Sequence, residues 1–155
     1  MFGEKLRGPG MNLTARKTPW HIWAVGIISL LWNFGGVLDY SMTHFQVESY
    51  MSQFTPEQLD YFYSFPTWSV AFWALGVWGA FAGSFLILLR SRFATLSFGI
   101  SIIGLLGSTI YQFGVADMPD SIATIGTKAF TAIIWLSVIL LYIYCSRMQR
   151  AGVLR

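Results

Sequence analysis

The chain has 155 residues, of which 55% are hydrophobic and 11% charged, with a mean hydropathy of +0.56. A soluble domain carries about 25% charged residues, so this composition reads as a polytopic membrane protein. The pI near 9.2 does not signal nucleic acid, because the bases flank apolar segments instead of forming one patch, and the single cysteine, Cys145, excludes an internal disulfide and any Cys-based metal or redox site.

Residues 1–19 hold Gly and Pro together with Lys5, Arg7, Arg16 and Lys17. They are expected to form a partly disordered cytoplasmic segment, in which Met11 is a second candidate start. A spanning helix needs roughly 20 mostly apolar residues. The first such segment is 20–40. No small-residue cleavage site follows it, so it is expected to remain as an anchor.

The connection 41–66 is long and patterned. Val47, Tyr50, Met51 and Phe54 follow helical spacing. Thr55-Pro56-Glu57-Gln58 has Thr at the N-cap, Pro at N1 and Gln at N3, which is a capping-box pattern. Leu59, Phe62 and Tyr63 continue an apolar stripe until Pro66. One or two short amphipathic helices are expected there, serving either as an interfacial connector or as a lid over a ligand site.

Three more apolar segments follow, at 67–89, 93–114 and 122–145, and a basic tail closes the chain at 147–155. The turn Arg90-Ser91-Arg92 is too short for anything but antiparallel neighbours. The expected fold is all-α: an integral-membrane, up-down-up-down four-helix bundle over residues 20–146. Nine of the ten Lys and Arg residues fall on one side of the segments, and six of the seven Asp and Glu residues fall on the other. The positive-inside rule then puts both termini in the cytoplasm.

Small residues recur along three segments. Gly36, Gly76, Gly79, Gly83 and Gly104 are expected at helix-packing seams, since small residues let backbones approach in lipid. Gly79 and Gly83 also fit an oligomer contact. Asn33, near the middle of the first segment, needs a partner and should face inward, either as interhelical glue or as part of a site.

Lys128 is the one base on the unexpected side. It lies 19 residues outward from Arg147, about 28 Å at the usual rise. Asp39 lies 18 residues outward from His21, about 27 Å. Gln112, Tyr40 and Tyr111 share that level. A polar layer of Asp39, Tyr40, Tyr111, Gln112 and Lys128 is therefore expected at the outer mouth. Lys128 there either snorkels or locks two helices by pairing with Asp39, or the pair lines an outward-facing polar pocket.

His21 and His44 fall at opposite ends of the first segment and cannot share a metal, so no metal or other cofactor is expected. No Ser-His-Asp set, paired catalytic carboxylates, P-loop or dinucleotide fingerprint occurs. The expectation is a non-enzymatic membrane protein that acts through a partner or a second copy, as an accessory subunit. The alternative is a small-solute carrier or ligand-binding protein that uses the polar layer.

Several stretches together resemble a known family. These are Trp32-Asn33-Phe34-Gly35-Gly36-Val37-Leu38-Asp39-Tyr40, Phe54-Thr55-Pro56-Glu57-Gln58-Leu59, Phe65-Pro66-Thr67-Trp68, and Gly76-Val77-Trp78-Gly79 with Gly83-Ser84. The family is one of small, uncharacterised bacterial four-helix membrane proteins, often given the loose label of sugar transporter. The resemblance covers roughly residues 20–98 and implies a bacterial inner-membrane location. It carries over no catalytic or binding residue, and the final third of the chain shares only its hydrophobicity.

Overall fold

The structure, a computed structural model, describes residues 18–155. Residues 1–17, with their expected cytoplasmic segment and alternative start, lie outside the described residues. The described chain is all-helical: α1 (His21–His44), α2 (Glu48–Met51), α3 (Pro56–Tyr63), α4 (Thr67–Leu88), α5 (Phe93–Gly114) and α6 (Ile125–Arg150). Helices α1, α4, α5 and α6 are long and apolar enough to cross a membrane.

Helix ends follow local chemistry more closely than hydropathy. α1 continues past residue 40 to His44, and α6 runs to Arg150, beyond the last apolar residue of its segment. Three of the long helices stop in the same way. At the end of α1, α4 and α6 the residue after the C-cap is left-handed: Gln46 (φ 49°), Arg90 (φ 57°) and Gly152 (φ 71°). The next amide reaches back five residues, from Val47 to Met42 O (3.0 Å), Ser91 to Leu86 O (2.9 Å) and Val153 to Met148 O (2.9 Å). These are Schellman closures, which satisfy carbonyls that a helix end otherwise leaves free. Only Gly152 occupies its left-handed position without a Cβ penalty. At the start of α3 the capping box is complete: Gln58 N–H donates to Thr55 Oγ1 at 3.3 Å, and Thr55 N–H to Gln58 Oε1 at 3.0 Å.

The long helices pack in the sequence α1–α4–α5–α6, and each pair runs antiparallel. Across α4 and α5 the close pairs are Gly76 with Gly104, Gly79 with Ser101 and Gly83 with Phe98. Across α1 and α4 they are Gly26 with Leu88, Asn33 with Ser84 and Tyr40 with Trp73. In each series one number rises as the other falls. The α4–α5 seam is the tightest, and it is laced by hydroxyls: Ser97 donates to Gly79 O at 2.8 Å and Ser101 to Gly76 O at 2.6 Å. Of the five glycines expected at seams, Gly76, Gly79, Gly83 and Gly104 meet there, whereas Gly36 has only an ordinary contact with Val77 Cγ1 at 3.9 Å. Gly26, which heads the small-residue stripe of the first segment, approaches Leu88 closely, and Gly107 against the Phe72 ring is a close approach that the small-residue spacing did not single out.

The distribution of side chains is inverted relative to a water-soluble helical protein. Buried positions on α5 include Ala94, Ser101, Gly104 and Ser108, while Leu96, Ile103, Leu106 and Ile110 point outward. The same holds on α6, where Phe130, Ile133, Leu136 and Leu140 are exposed.

Antiparallel packing divides the charges between two ends. Arg90, Arg92, Arg147, Arg150 and Arg155 gather at one, called here the basic end. The loop carrying α2 and α3, with Glu48, Glu57 and Asp60, lies at the other, the acidic end. A compact core closes the basic end around Ile22, Ile87, Phe98 and Cys145. Residues 151–155 do not trail away as a free basic tail. Val153 and Leu154 enter that core. Arg155 N–H donates to Arg90 O at 2.9 Å, and Arg92 N–H donates to Arg155 O at 3.0 Å, clasping the α4–α5 turn.

Candidate functional site: a cavity between the four long helices

α1 and α6 do not pack along their length. His21 Nδ1 meets the Tyr144 hydroxyl at 2.7 Å near the basic end, and the Trp32 and Phe130 rings lie 6.2 Å apart further along. Between these helices and the α4–α5 pair lies a cavity of about 580 Å³, within the ~300–1,000 Å³ span of small-molecule sites. α1 contributes Trp32, Asn33, Gly36 and Asp39 to its wall, and α4 contributes Trp73 and Ala80. α5 adds Ser101, Ser108, Thr109 and Gln112, and α6 adds Phe130, Thr131, Ile134 and Val138.

The floor is polar and braced. Asn33 is 8% exposed. Its amide nitrogen donates to Ser84 Oγ at 2.9 Å and lies 3.5 Å from Ala80 O, while Ser84 Oγ donates to Ala80 O at 3.0 Å. The Asn33 carbonyl oxygen has no hydrogen-bond partner among the described residues. A buried amide with one free acceptor at the bottom of a cavity is a costly arrangement unless something polar reaches it.

A second cavity, of about 380 Å³, lies at the acidic end, with Gln58, Tyr61 and Phe62 of α3 and Met118, Ser121 and Ile122 of the α5–α6 connection in its wall. Asp39, Trp73, Gln112, Phe130, Thr131 and Ile134 line both cavities, so the two meet at that layer. The roof is held by aromatic contacts. Tyr61 packs on Phe65 (5.1 Å between centroids), Phe65 on Tyr111 (5.1 Å) and Tyr111 on Trp68 (5.3 Å). Such edge-to-face pairs each add about 0.5–1.5 kcal/mol beyond area burial.

The sequence-derived polar layer divides in two. Asn33, Asp39 and Gln112 line the larger cavity. Tyr40 instead stacks on His44 (5.4 Å) and meets the Trp73 edge (5.0 Å), and Tyr111 is buried in the aromatic roof. Lys128 is exposed, lines neither cavity and forms no ion pair among the described residues. The partner of Asp39 is Tyr50 of α2, whose hydroxyl donates to Asp39 Oδ1 at 2.5 Å. Depth counting placed Lys128 at the right level, but the α6 face that meets the cavity runs through Phe130, Thr131, Ile134 and Val138, and Lys128 points off it. Tyr50 was legible as part of a helical stripe; its role as the anchor of α2 on α1 was not.

Burial, the hydrogen bond to Asp39 and the nearby carboxylate charge push the Tyr50 hydroxyl up to about 12. Burial, then the neighbouring Tyr111, push Tyr61 up to about 12, and its hydroxyl has no partner. A raised phenol value means that the protonated form is favoured in the folded state. The Tyr50 contribution is therefore complete below pH 10 and is lost as pH rises through about 12. Tyr50→Phe should show a shallower fall of melting temperature over that interval than the parent protein. An unchanged slope would mean that Tyr50 ionises as an ordinary solvated phenol.

No protein-family model matches the chain, and neither curated proteins nor solved structures include a similar one.

Proposed function

We propose that this is a multi-pass membrane protein that binds a small molecule in a cavity entered from its acidic, outward-facing end. The observation that carries the reading is the continuity of the two cavities from α3, through the Asp39–Gln112 layer, down to Asn33. A dry, closed bundle would have favoured a purely structural role.

Membrane insertion is supported by the four apolar helices and by large apolar side chains facing outward over small and polar interior positions. An up-down-up-down bundle with both termini in the cytoplasm follows from antiparallel packing together with the positive-inside rule. The resemblance of residues 20–98 to small bacterial four-helix proteins favours a bacterial inner membrane. The absence of a catalytic constellation from the sequence favours binding or carriage over catalysis. Carriage in a chain of this size calls for a second copy or a partner to move against.

Thiol labelling tests the reading. Cysteine placed at Thr131, on the cavity wall, should react with a membrane-impermeant maleimide added to the outer face. Cysteine at the exposed apolar position Ile133 should not, because thiolate formation needs water. Equal protection of the two would remove the aqueous cavity.

One observation also supports association with another chain, whether as an accessory subunit or a homo-oligomer. Only 11% of the apolar window of α6 is buried, against 22–28% for the other three long helices. A partner present at fixed ratio after mild-detergent purification is the expected result, and a strictly monomeric preparation would leave α6 as a lipid-facing helix.

A further inference from the structure

We infer that the ligand of this cavity is an organic cation with an apolar body, its charge held at Asp39 and its body held among Trp32, Trp73 and Phe130. The inference rests on the binding reading above and specifies its chemistry.

Charge comes first. Among the described residues Asp39 is the one charged residue that lines either cavity, and it lines both. Tyr50 occupies only Oδ1, so the second carboxylate oxygen remains free to pair. Among the described residues no Lys, Arg or His contributes to either wall, and Lys128 stands outside. An anionic ligand would meet the Asp39 carboxylate with no counter-charge from these walls.

The hydrogen-bonding inventory points the same way. All four Ser and Thr hydroxyls of the larger cavity have given away their only proton. Ser101 donates to Gly76 O, Ser108 to Gly104 O, Thr109 to Leu105 O and Thr131 to Thr127 O. A hydroxyl so committed offers lone pairs alone, although Thr109 Oγ1 already accepts from Trp135 Nε1 at 3.1 Å. The Asn33 carbonyl oxygen at the floor is a further free acceptor. The donors that remain are uncharged: the Gln112 amide and the indole N–H groups of Trp32 and Trp73. The wall is thus rich in acceptors, and its negative charge is unopposed.

Aromatic faces complete the fit. Trp32 and Phe130 flank the cavity from α1 and α6, and Trp73 stands at the junction of the two cavities. Aromatic rings attract ammonium-type cations, Trp most strongly, and gain when the site excludes water. Bare Ca2+ or Mg2+ fits poorly, because each asks for six or more oxygen ligands, and no group of three His, Cys, Asp or Glu side chains able to hold a metal ion exists among the described residues.

The test is equilibrium binding to the purified full chain in detergent. The probes are benzyltrimethylammonium and tetraphenylphosphonium, with tetraphenylborate as the anion of matching shape and empty micelles as the partition control. With each probe titrated separately, saturable binding of at least one cation and none of tetraphenylborate is expected. Asp39→Asn should weaken it about tenfold or more, equivalent to ~1.4 kcal/mol. If tetraphenylborate alone binds as well as the cations, or Asp39→Asn binds the cations normally, the cavity stands and the cation assignment falls. If no probe binds above the micelle control, both readings fall. Charge selectivity in the unsubstituted protein decides the matter even if Asp39→Asn does not fold.

Discussion

Gly104→Ala should destabilise the protein by about 3 kcal/mol, the largest effect expected of any Gly→Ala change among the described residues. A Cβ at this position would lie 2.2 Å from Gly76 N, 2.6 Å from Phe72 O and 2.8 Å from Gly76 Cα. All three are backbone atoms, so no side chain can rotate to make room. Relief requires α4 and α5 to separate, and separation would stretch the Ser97 and Ser101 hydrogen bonds to Gly79 O and Gly76 O. The comparison is Gly35→Ala, where an added Cβ meets nothing within 4 Å. There the gain in helix propensity, about 0.5–1 kcal/mol, should appear as a small stabilisation. Thermal melting in one detergent, with the two variants side by side, reads both signs. If Gly104→Ala melts with or above Gly35→Ala, the close approach of α4 and α5 is wrong.

Leu154→Ala should cost about 2–5 kcal/mol, the range for emptying a buried Leu site. Leu154 is 2% exposed, in the same core as Phe98, which is 0% exposed. The loss should also loosen the clasp of Arg155 on Arg90 and Arg92, which supports a left-handed Arg90 that would otherwise cost roughly 1–2 kcal/mol. Two readouts check this: a lower melting temperature, and faster tryptic cleavage near the end of α6. The exposed Arg150→Ala should stay within about 0.5 kcal/mol of the parent. A Leu154→Ala variant as stable as Arg150→Ala would mean that residues 151–155 hang free.

The two substitutions probe features of different legibility. Glycines at 76, 79, 83 and 104 could be picked out as seam residues because spanning helices meet through small side chains. Their spacing did not say which helix they would meet, nor that Gly36 would border a cavity instead. The end of the chain was less legible still. Three arginines in 147–155 read as a solvated basic tail, and hydropathy averaging hides a two-residue plug such as Val153-Leu154. The left-handed Gly152 was its one local mark, since it turns the chain back on the helix it has just left.

The candidate site shows the same division. Rise per residue was enough to place Asp39, Gln112 and Lys128 at one height. The partner of Asp39 proved to be Tyr50, eleven residues along the chain on a short helix of the connecting loop. Trp32 and Trp73 read from the sequence as packing by default, with a stacking platform for a ring-shaped ligand as the alternative, and Phe130 was not singled out until three helices brought the rings around one space.

By itself, then, the sequence determined the features that depend on neighbours within a turn or on averages over a segment. These are four apolar helices, a capped α3, the segregation of charge and the height of each polar group. Tertiary structure alone decided the azimuth of each helix, and with it which polar groups share a cavity, which stand outside and how the chain's end is held. Height accumulates along one helix at a constant rise. Azimuth is set by which faces fit together, through contacts between residues tens of positions apart, and no local pattern records it.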